Sequence, residues 1–155
     1  MGEPIFEWKK IPLSKDINHK NINIKIDDLE LKDGFAINVG NPHIVFFVDD
    51  CFKYDLKKIG PLIENYELFP EKINVTFAQI KDSSNILVNV WERGAGLTKA
   101  CGTAACATGV VAFEKKLSGN NTNIHFKEGL LNIKYNSVIS MTGPVSDIKE
   151  IEVKL

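Results

Sequence analysis

Ala100-Cys101-Gly102-Thr103-Ala104-Ala105-Cys106-Ala107-Thr108-Gly109-Val110-Val111-Ala112-Phe113 runs without a single charge and is built largely of glycine and alanine. Charge returns at Glu114-Lys115-Lys116, and Ser118-Gly119 follows as a stop signal. This reads as a helix over Cys101 to Leu117, with its lysines at the negative end of the helix dipole. A helix that is apolar all round is buried on all sides. Small side chains let neighbouring strands approach its backbone closely. The expectation is an α+β fold in which a curved, mostly antiparallel sheet wraps around one central buried helix.

The segments on either side supply that sheet. Alternating apolar and polar positions predict strands at Ile22 to Ile26, Phe35 to Val39, Ile73 to Ile80 and Ile86 to Trp91, with a fully buried strand at Ile44 to Val48. Shorter strands are predicted at Asn123 to Lys127, Leu130 to Tyr135, Val138 to Met141 and Ile148 to Val153, and turns at Asp33-Gly34, Glu128-Gly129 and Asn136-Ser137. A second helix fits Asp55 to Asn65, with Asp55 as N-cap and an apolar stripe of Leu56, Ile59, Leu62 and Ile63. Its internal Gly60-Pro61 is expected to bend or loosen it.

Composition bounds the function. The chain has 155 residues, 19 Lys+Arg against 20 Asp+Glu, a net charge of -1 and 44% hydrophobic residues. One domain over 1–155 is expected, with about two thirds of the unfolded surface buried. No apolar run approaches the ~18 residues of a membrane helix, and Met1-Gly2-Glu3-Pro4 does not look like a secretory signal. Three cysteines, none spaced C-x-x-C, argue against a disulfide scaffold or a zinc ribbon and for a reduced, cytoplasmic protein. Near-zero charge without a basic cluster argues against nucleic acid as partner. No metal site is expected.

The densest chemistry is Trp91-Glu92-Arg93-Gly94-Ala95-Gly96-Leu97-Thr98-Lys99-Ala100-Cys101-Gly102-Thr103, where a strand ends in a Glu-Arg pair, crosses a glycine loop and enters the buried helix at a cysteine. The first backbone N–H groups of a helix lack internal partners. Those of Gly102, Thr103 and Ala104, expected to be buried, could hold a substrate carboxylate with the dipole's help. The same field is expected to lower the pKa of Cys101. Arg93 is the one arginine among 18 lysines. Its planar fork can grip a carboxylate through two hydrogen bonds, which lysine cannot do.

Each feature has a plainer reading. Most lone cysteines are packed small hydrophobes, and Cys106 and Cys51 are read that way. Asn41 and His43, in Gly40-Asn41-Pro42-His43, could point into a cleft, but an Asn-Pro-His turn by itself reads first as structure. Asn74 interrupts an apolar strand entry, a weak sign of a ligand contact. The glycines of the loop match neither G-x-G-x-x-G nor a P-loop, so nucleotide binding is rejected.

Taken in order, Gly40-Asn41-Pro42-His43-Ile44-Val45, Phe69-Pro70 with Asn74-Val75-Thr76-Phe77, Trp91 to Gly96 running into Ala100-Cys101-Gly102-Thr103, and Met141-Thr142-Gly143-Pro144 closely resemble the diaminopimelate epimerases. The resemblance covers only the second, C-terminal domain of that two-domain family. The Gly-Asn-Asp-Phe and Cys-Gly-Asn-Gly segments of its first half do not occur here, and Met1 to Pro4 look like its interdomain strand. The chain is therefore expected to begin mid-protein, to need the N-terminal half or a partner chain, and to be inactive alone.

The resemblance implies a cofactor-independent interconversion of LL- and meso-diaminopimelate, in which one cysteine thiolate removes the α-proton and a second thiol delivers one to the opposite face. It makes Cys101 one of that pair. It assigns substrate contacts to Asn41, Asn74, Glu92, Arg93, Gly102 and Thr103, with Glu92 and His43 supporting the reacting centre and Arg93 on the distal carboxylate. Leu97, where glutamate is usual, and Ala104, where glycine is usual, depart from the pattern. Alternatives are a related amino-acid racemase of the same superfamily, a non-catalytic carboxylate-binding module and, last, a Cys-His hydrolase using Cys101 and His43. A homodimer through the faces vacated by the absent half is a further expectation.

Overall fold

The computed structural model describes residues 1–145. Among them are nine strands and two α-helices, in the order β1 (Ile22–Ile26), β2 (Leu29–Asn38), β3 (Pro42–Phe47), α1 (Leu56–Glu64), β4 (Asn74–Asp82), β5 (Asn85–Glu92), β6 (Gly96–Leu97), α2 (Gly102–Glu114), β7 (Asn121–Phe126), β8 (Gly129–Asn136) and β9 (Val138–Thr142). The strand expected at Ile148 to Val153 lies outside the described residues.

One sheet holds all nine strands, ordered β1-β2-β3-β4-β5-β7-β8-β9, with the short β6 paired to β5. Neighbours are antiparallel except β3 with β4 and β5 with β7, and each of those parallel pairs is joined through a helix. Such crossovers are right-handed almost without exception. Both step along the sheet in the same direction, but β5 runs antiparallel to β4. The strand direction is thus reversed between the two units, and the same handedness places the two helices on opposite faces.

Two cores result. On the concave face α2 packs against Phe35, Ile37, Val45, Val88, Val90, Ile124 and Ile133. Every residue from Ala104 to Ala112 is buried, as expected for a helix apolar all round. The small residues do let strands in: a Cβ added at Gly109 would lie 2.8 Å from Ile133 Cγ2 of β8. On the convex face the alternate residues Ile44, Phe46, Val75 and Phe77 meet Leu56 and Ile63 of α1. The sheet curls around α2 without closing, and the N-terminal segment straps the opening, with Gly2 bridged to Ile139 of β9 and Ile5 to Asn38 of β2.

Three local expectations need correcting. Asp33-Gly34 is not a turn but lies inside β2, where one extra residue bulges against β1 and Asp33 takes φ 57. The glycine serves packing instead, since a Cβ there would sit 2.5 Å from the Phe46 ring. The β1–β2 hairpin turns at Asp27-Asp28, where Ile26 pairs with Leu29. Secondly, α2 stops before Ser118-Gly119: Lys116 adopts φ 59, and Leu117 N–H bonds Ala112 O while Lys116 N–H bonds Phe113 O. These two bonds are the Schellman closure, achieved here with a lysine where glycine is usual. Thirdly, α1 runs unbroken through Gly60-Pro61, capped as expected by Asp55, whose side chain accepts from Lys57 N.

Candidate active site

Strand register assembles the site. His43 of β3 stands opposite Ile37 of β2 and Asn74 of β4. Val75 pairs with Trp91, so the next step of that register sets Asn74 against Glu92, which pairs in turn with Gly96 of β6. His43, Asn74 and Glu92 therefore form one transverse row on the face that carries α2, and Cys101 enters α2 beside the end of that row.

The loop beyond Glu92 is held by its backbone. Arg93, Gly94 and Ala95 connect β5 to β6, and three successive N–H groups have three different acceptors. Arg93 N–H donates to Asn74 Oδ1 at 2.9 Å, Gly94 N–H to Glu64 Oε1 at 3.0 Å, and Ala95 N–H to Glu92 O at 3.1 Å. Gly94 has φ +76, which a glycine adopts without strain. Asn74 also donates to Pro42 O at 2.7 Å, tying the loop to the Asn41-Pro42-His43 turn. Arg93 Nη1 donates to Glu71 O at 3.0 Å, and the residue is exposed.

Cys101 is the N-cap residue of α2 and is 6% exposed. Gly102 and Thr103 are only half-buried, so this helix tip is more open than the sequence suggests. Met141 of β9 lies over Gly102, within 3.3 Å of where a Cβ would be. Thr103 Oγ1 is 3.5 Å from the sulfur. The thiol is not lowered as the dipole argument expects. Burial pushes its pKa up; hydrogen bonds from the Thr103 hydroxyl and the Ala104 N–H oppose this, and Glu92 adds to the rise by hydrogen bonding and by charge. The balance of these effects holds the Cys101 thiol above the ordinary cysteine range.

That arrangement has a measurable consequence. Iodoacetamide, followed by mass spectrometry, should modify Cys101 with a pH midpoint above that of a free cysteine, and Glu92→Gln should move the midpoint down, because a neighbouring negative charge opposes the thiolate. Cys51 and Cys106 are fully buried, with thiols pushed up to about 11, and should stay unmodified in the folded chain. An upward shift in Glu92→Gln would contradict the assigned role of the carboxylate.

His43 is completely buried, and its ring Nε2 meets Asn41 Oδ1 at 2.9 Å. Burial, then the charge of Arg93, lowers its pKa to about 3. Near neutrality it is a neutral ring that donates from Nε2 and orients Asn41, not a titrating acid or base. The unfolded chain protonates this histidine near 6.5 while the folded chain refuses the proton until about 3. Stability therefore falls as pH drops below about 6.5 and this loss levels off near 3. Thermal melts should show that decline, and His43→Gln should reduce it; His19, also lowered by burial, leaves a smaller decline of the same sign. An unchanged acid limb in His43→Gln would rule out this source.

The structure thus brings Asn41, His43, Asn74, Glu92, Arg93, Cys101, Gly102 and Thr103 to one end of the sheet. Two contributors were not anticipated. Glu64 of α1 is 5% exposed and accepts from Trp91 Nε1 at 2.7 Å as well as from Gly94 N–H. The Trp91 ring lies against Gly60, where a Cβ would fall 2.5 Å from it, so this glycine seats an indole instead of loosening the helix. Helical spacing carried the signal. Glu64 lies about 80° round from Leu56, on the buried side with Gly60 and Ile63, whereas Leu62 lies about 240° round and is exposed. Among the described residues no group of His, Cys, Asp and Glu is placed to hold a metal ion, and no helix is long and apolar enough to cross a membrane.

A family model described as diaminopimelate epimerase matches residues 35–148. The chain belongs to the diaminopimelate epimerase family. Diaminopimelate epimerase from Pelagibacter ubique is 54% identical over 100% of this chain and 58% of the relative. Those from a Wolbachia of Drosophila simulans and from Rhodopseudomonas palustris are each 42% identical, over 94% and 92% of this chain and 55% and 51% of the relatives. The chain thus spans a little over half the length of these diaminopimelate epimerases. A solved PhzF-family phenazine biosynthesis protein from Enterococcus faecalis aligns with a TM-score of 0.48 and 16% identity, over 63% of this chain and 35% of that one, too distant to bear on the site.

Proposed function

We propose that this chain provides one face of the two-faced active site of a diaminopimelate epimerase, an isomerase of lysine and peptidoglycan biosynthesis that works without a cofactor. The observation that carries the reading is the placement of the Cys101 thiol at the start of a buried helix, with Glu92 against it and Arg93 at the rim. The helix tip at Gly102 and Thr103 binds the α-carboxylate, and its partial positive charge stabilises the anion that forms when the α-proton leaves. Arg93 takes the distal carboxylate, and Asn41 and Asn74 line the same end. Inversion needs a base on one face of the α-carbon and an acid on the other. Cys101 serves one face, as acid in one direction of this reversible inversion and as base in the other, with burial and Glu92 raising its thiol pKa. The sulfur for the opposite face comes from the other half of the enzyme. A reducing compartment, the cytoplasm, suits chemistry that needs a free thiol.

The test is epimerisation of LL-diaminopimelate, read by chiral chromatography, with the chain alone and mixed with the separately produced N-terminal half of the Pelagibacter ubique relative. Turnover is expected only in the mixture. Inversion by the chain alone would refute the shared two-cysteine site, and silence of a folded mixture would refute the substrate.

A further inference from the structure

We propose that Glu64 is a positioning residue, whose buried carboxylate fixes Glu92 and Arg93 for the reaction by holding Gly94 N–H and the Trp91 indole together. The inference rests on the reading above for its kinetic part only. The two residues that the reading assigns to chemistry and recognition are consecutive, and the residues flanking them, Trp91 and Gly94, are both bound by one carboxylate: Oε2 by the indole at 2.7 Å, Oε1 by the amide at 3.0 Å. The arm that holds them belongs to α1, on the opposite face of the sheet from Cys101. Lys72 Nζ stands 4.0 Å from Oε1 and is half-exposed, so the pair of N–H donors, more than an ion pair, defines the carboxylate's place. The Trp91 ring rests on Gly60 of the same helix and within 3.4 Å of where a Cβ of Gly96 would be. With Asn74 on Arg93 N–H, the loop is clamped from both faces of the sheet.

A carboxylate accepts from both donors, whereas a glutamine offers one acceptor oxygen and sets an N–H₂ against the other donor. Glu64→Gln should therefore set its N–H₂ against Gly94 N–H or the Trp91 indole N–H, a donor–donor repulsion that displaces the segment between them, whereas the loss of the indole donor alone leaves the carboxylate on Gly94. Trp91→Phe removes the indole donor, so in Glu64→Gln/Trp91→Phe the amide oxygen is free for Gly94 N–H. The first readout needs no substrate: the pH profile of Cys101 alkylation by iodoacetamide in the chain alone. Cys101 faces Glu92 from β5, and the Thr103 hydroxyl and Ala104 N–H from its own helix. A loosened loop carries Glu92 away, so the midpoint in Glu64→Gln should fall by about 0.5 unit or more, with recovery in the double variant and a parent-like value in Trp91→Phe. The second readout is kinetic, in the mixture with the relative's N-terminal half. KM for LL-diaminopimelate should rise about tenfold in Glu64→Gln, by more than kcat falls, because Arg93 binds a carboxylate remote from the reacting carbon.

A folded Glu64→Gln with the parent's alkylation profile overturns the proposal, as does a double variant that fails to recover while Trp91→Phe is parent-like. If Glu64→Gln does not fold, Glu64→Asp, which keeps the charge on a shorter arm, is measured in the same way and must show the same shift. A parental mixture without turnover removes the substrate reading, and the alkylation result still decides the role of Glu64.

Discussion

Replacing Cys101 by serine should lower epimerisation by the recombined halves by about 10³-fold or more, the scale expected when a positioned acid or base is lost. A serine hydroxyl at the same place is a far weaker acid than the thiol and cannot return a proton to the α-carbon at a useful rate. The fold should tolerate the change, since serine is close in size and Thr103 Oγ1, 3.5 Å from the sulfur, can serve as its hydrogen-bond partner. Circular dichroism and melting should therefore resemble the parent. Cys106, five residues along and about 140° round the helix, is fully buried in the core, and Cys106→Ala should keep most of the turnover. Retention of more than a tenth of the activity in Cys101→Ser would reduce Cys101 to a packing residue.

Truncating Phe77 to alanine should cost about 3–5 kcal/mol, the range for a fully buried phenylalanine whose site cannot collapse. Phe77 is 0% exposed at the centre of the convex-face core, stacked on Tyr54 at 4.5 Å and on Phe46 at 5.7 Å between ring centroids. Its neighbours Phe46 and Val75 are anchored in central strands and cannot move in to fill the space. Urea unfolding should report the loss in full as a lower midpoint with an unchanged slope. A loss below about 1 kcal/mol would mean that the convex layer, with α1 and Glu64 on it, is not a close-packed second core.

Much of the architecture was legible because it is written in local composition. A run of glycine, alanine and valine free of charge over Ala100 to Phe113 has one stable place in a globular protein, the interior. Alternating residues in the flanking segments imply a sheet to enclose it. The Glu-Arg pair before a glycine loop, and the cysteine at the helix start, mark the site for the same reason: no packing rule asks for those residue types in that order.

Where the reading erred, a contact distant in sequence had overruled a local preference. Asp33-Gly34 carries a hairpin signal, but the glycine is needed by the Phe46 ring, and the turn moves to Asp27-Asp28. Leu62 joined the apolar stripe on its chemistry, while the angular position that exposes it also buries Glu64. That swap was computable from the helical period, yet nothing in the sequence says that an indole and a loop amide wait for the carboxylate. The sign of the Cys101 shift followed the same pattern. The dipole of α2 is a property of the helix alone and favours the thiolate, whereas burial and the approach of Glu92 depend on how β5 is laid beside it.

What the sequence determined by itself is most of the strands, the two helices and the gathering of Glu92, Arg93 and Cys101 around one loop, because periodicity and composition act over a few turns or strands. Asn41, His43 and Asn74 became site residues only through the resemblance of their motifs to the family. The tertiary structure alone decided which face each helix covers, which side chains clamp the Glu92-Arg93-Gly94 loop, and that the Cys101 thiol is shifted upward and not downward. Those depend on strand direction, register and exclusion of water, which arise only when segments tens of residues apart are packed together.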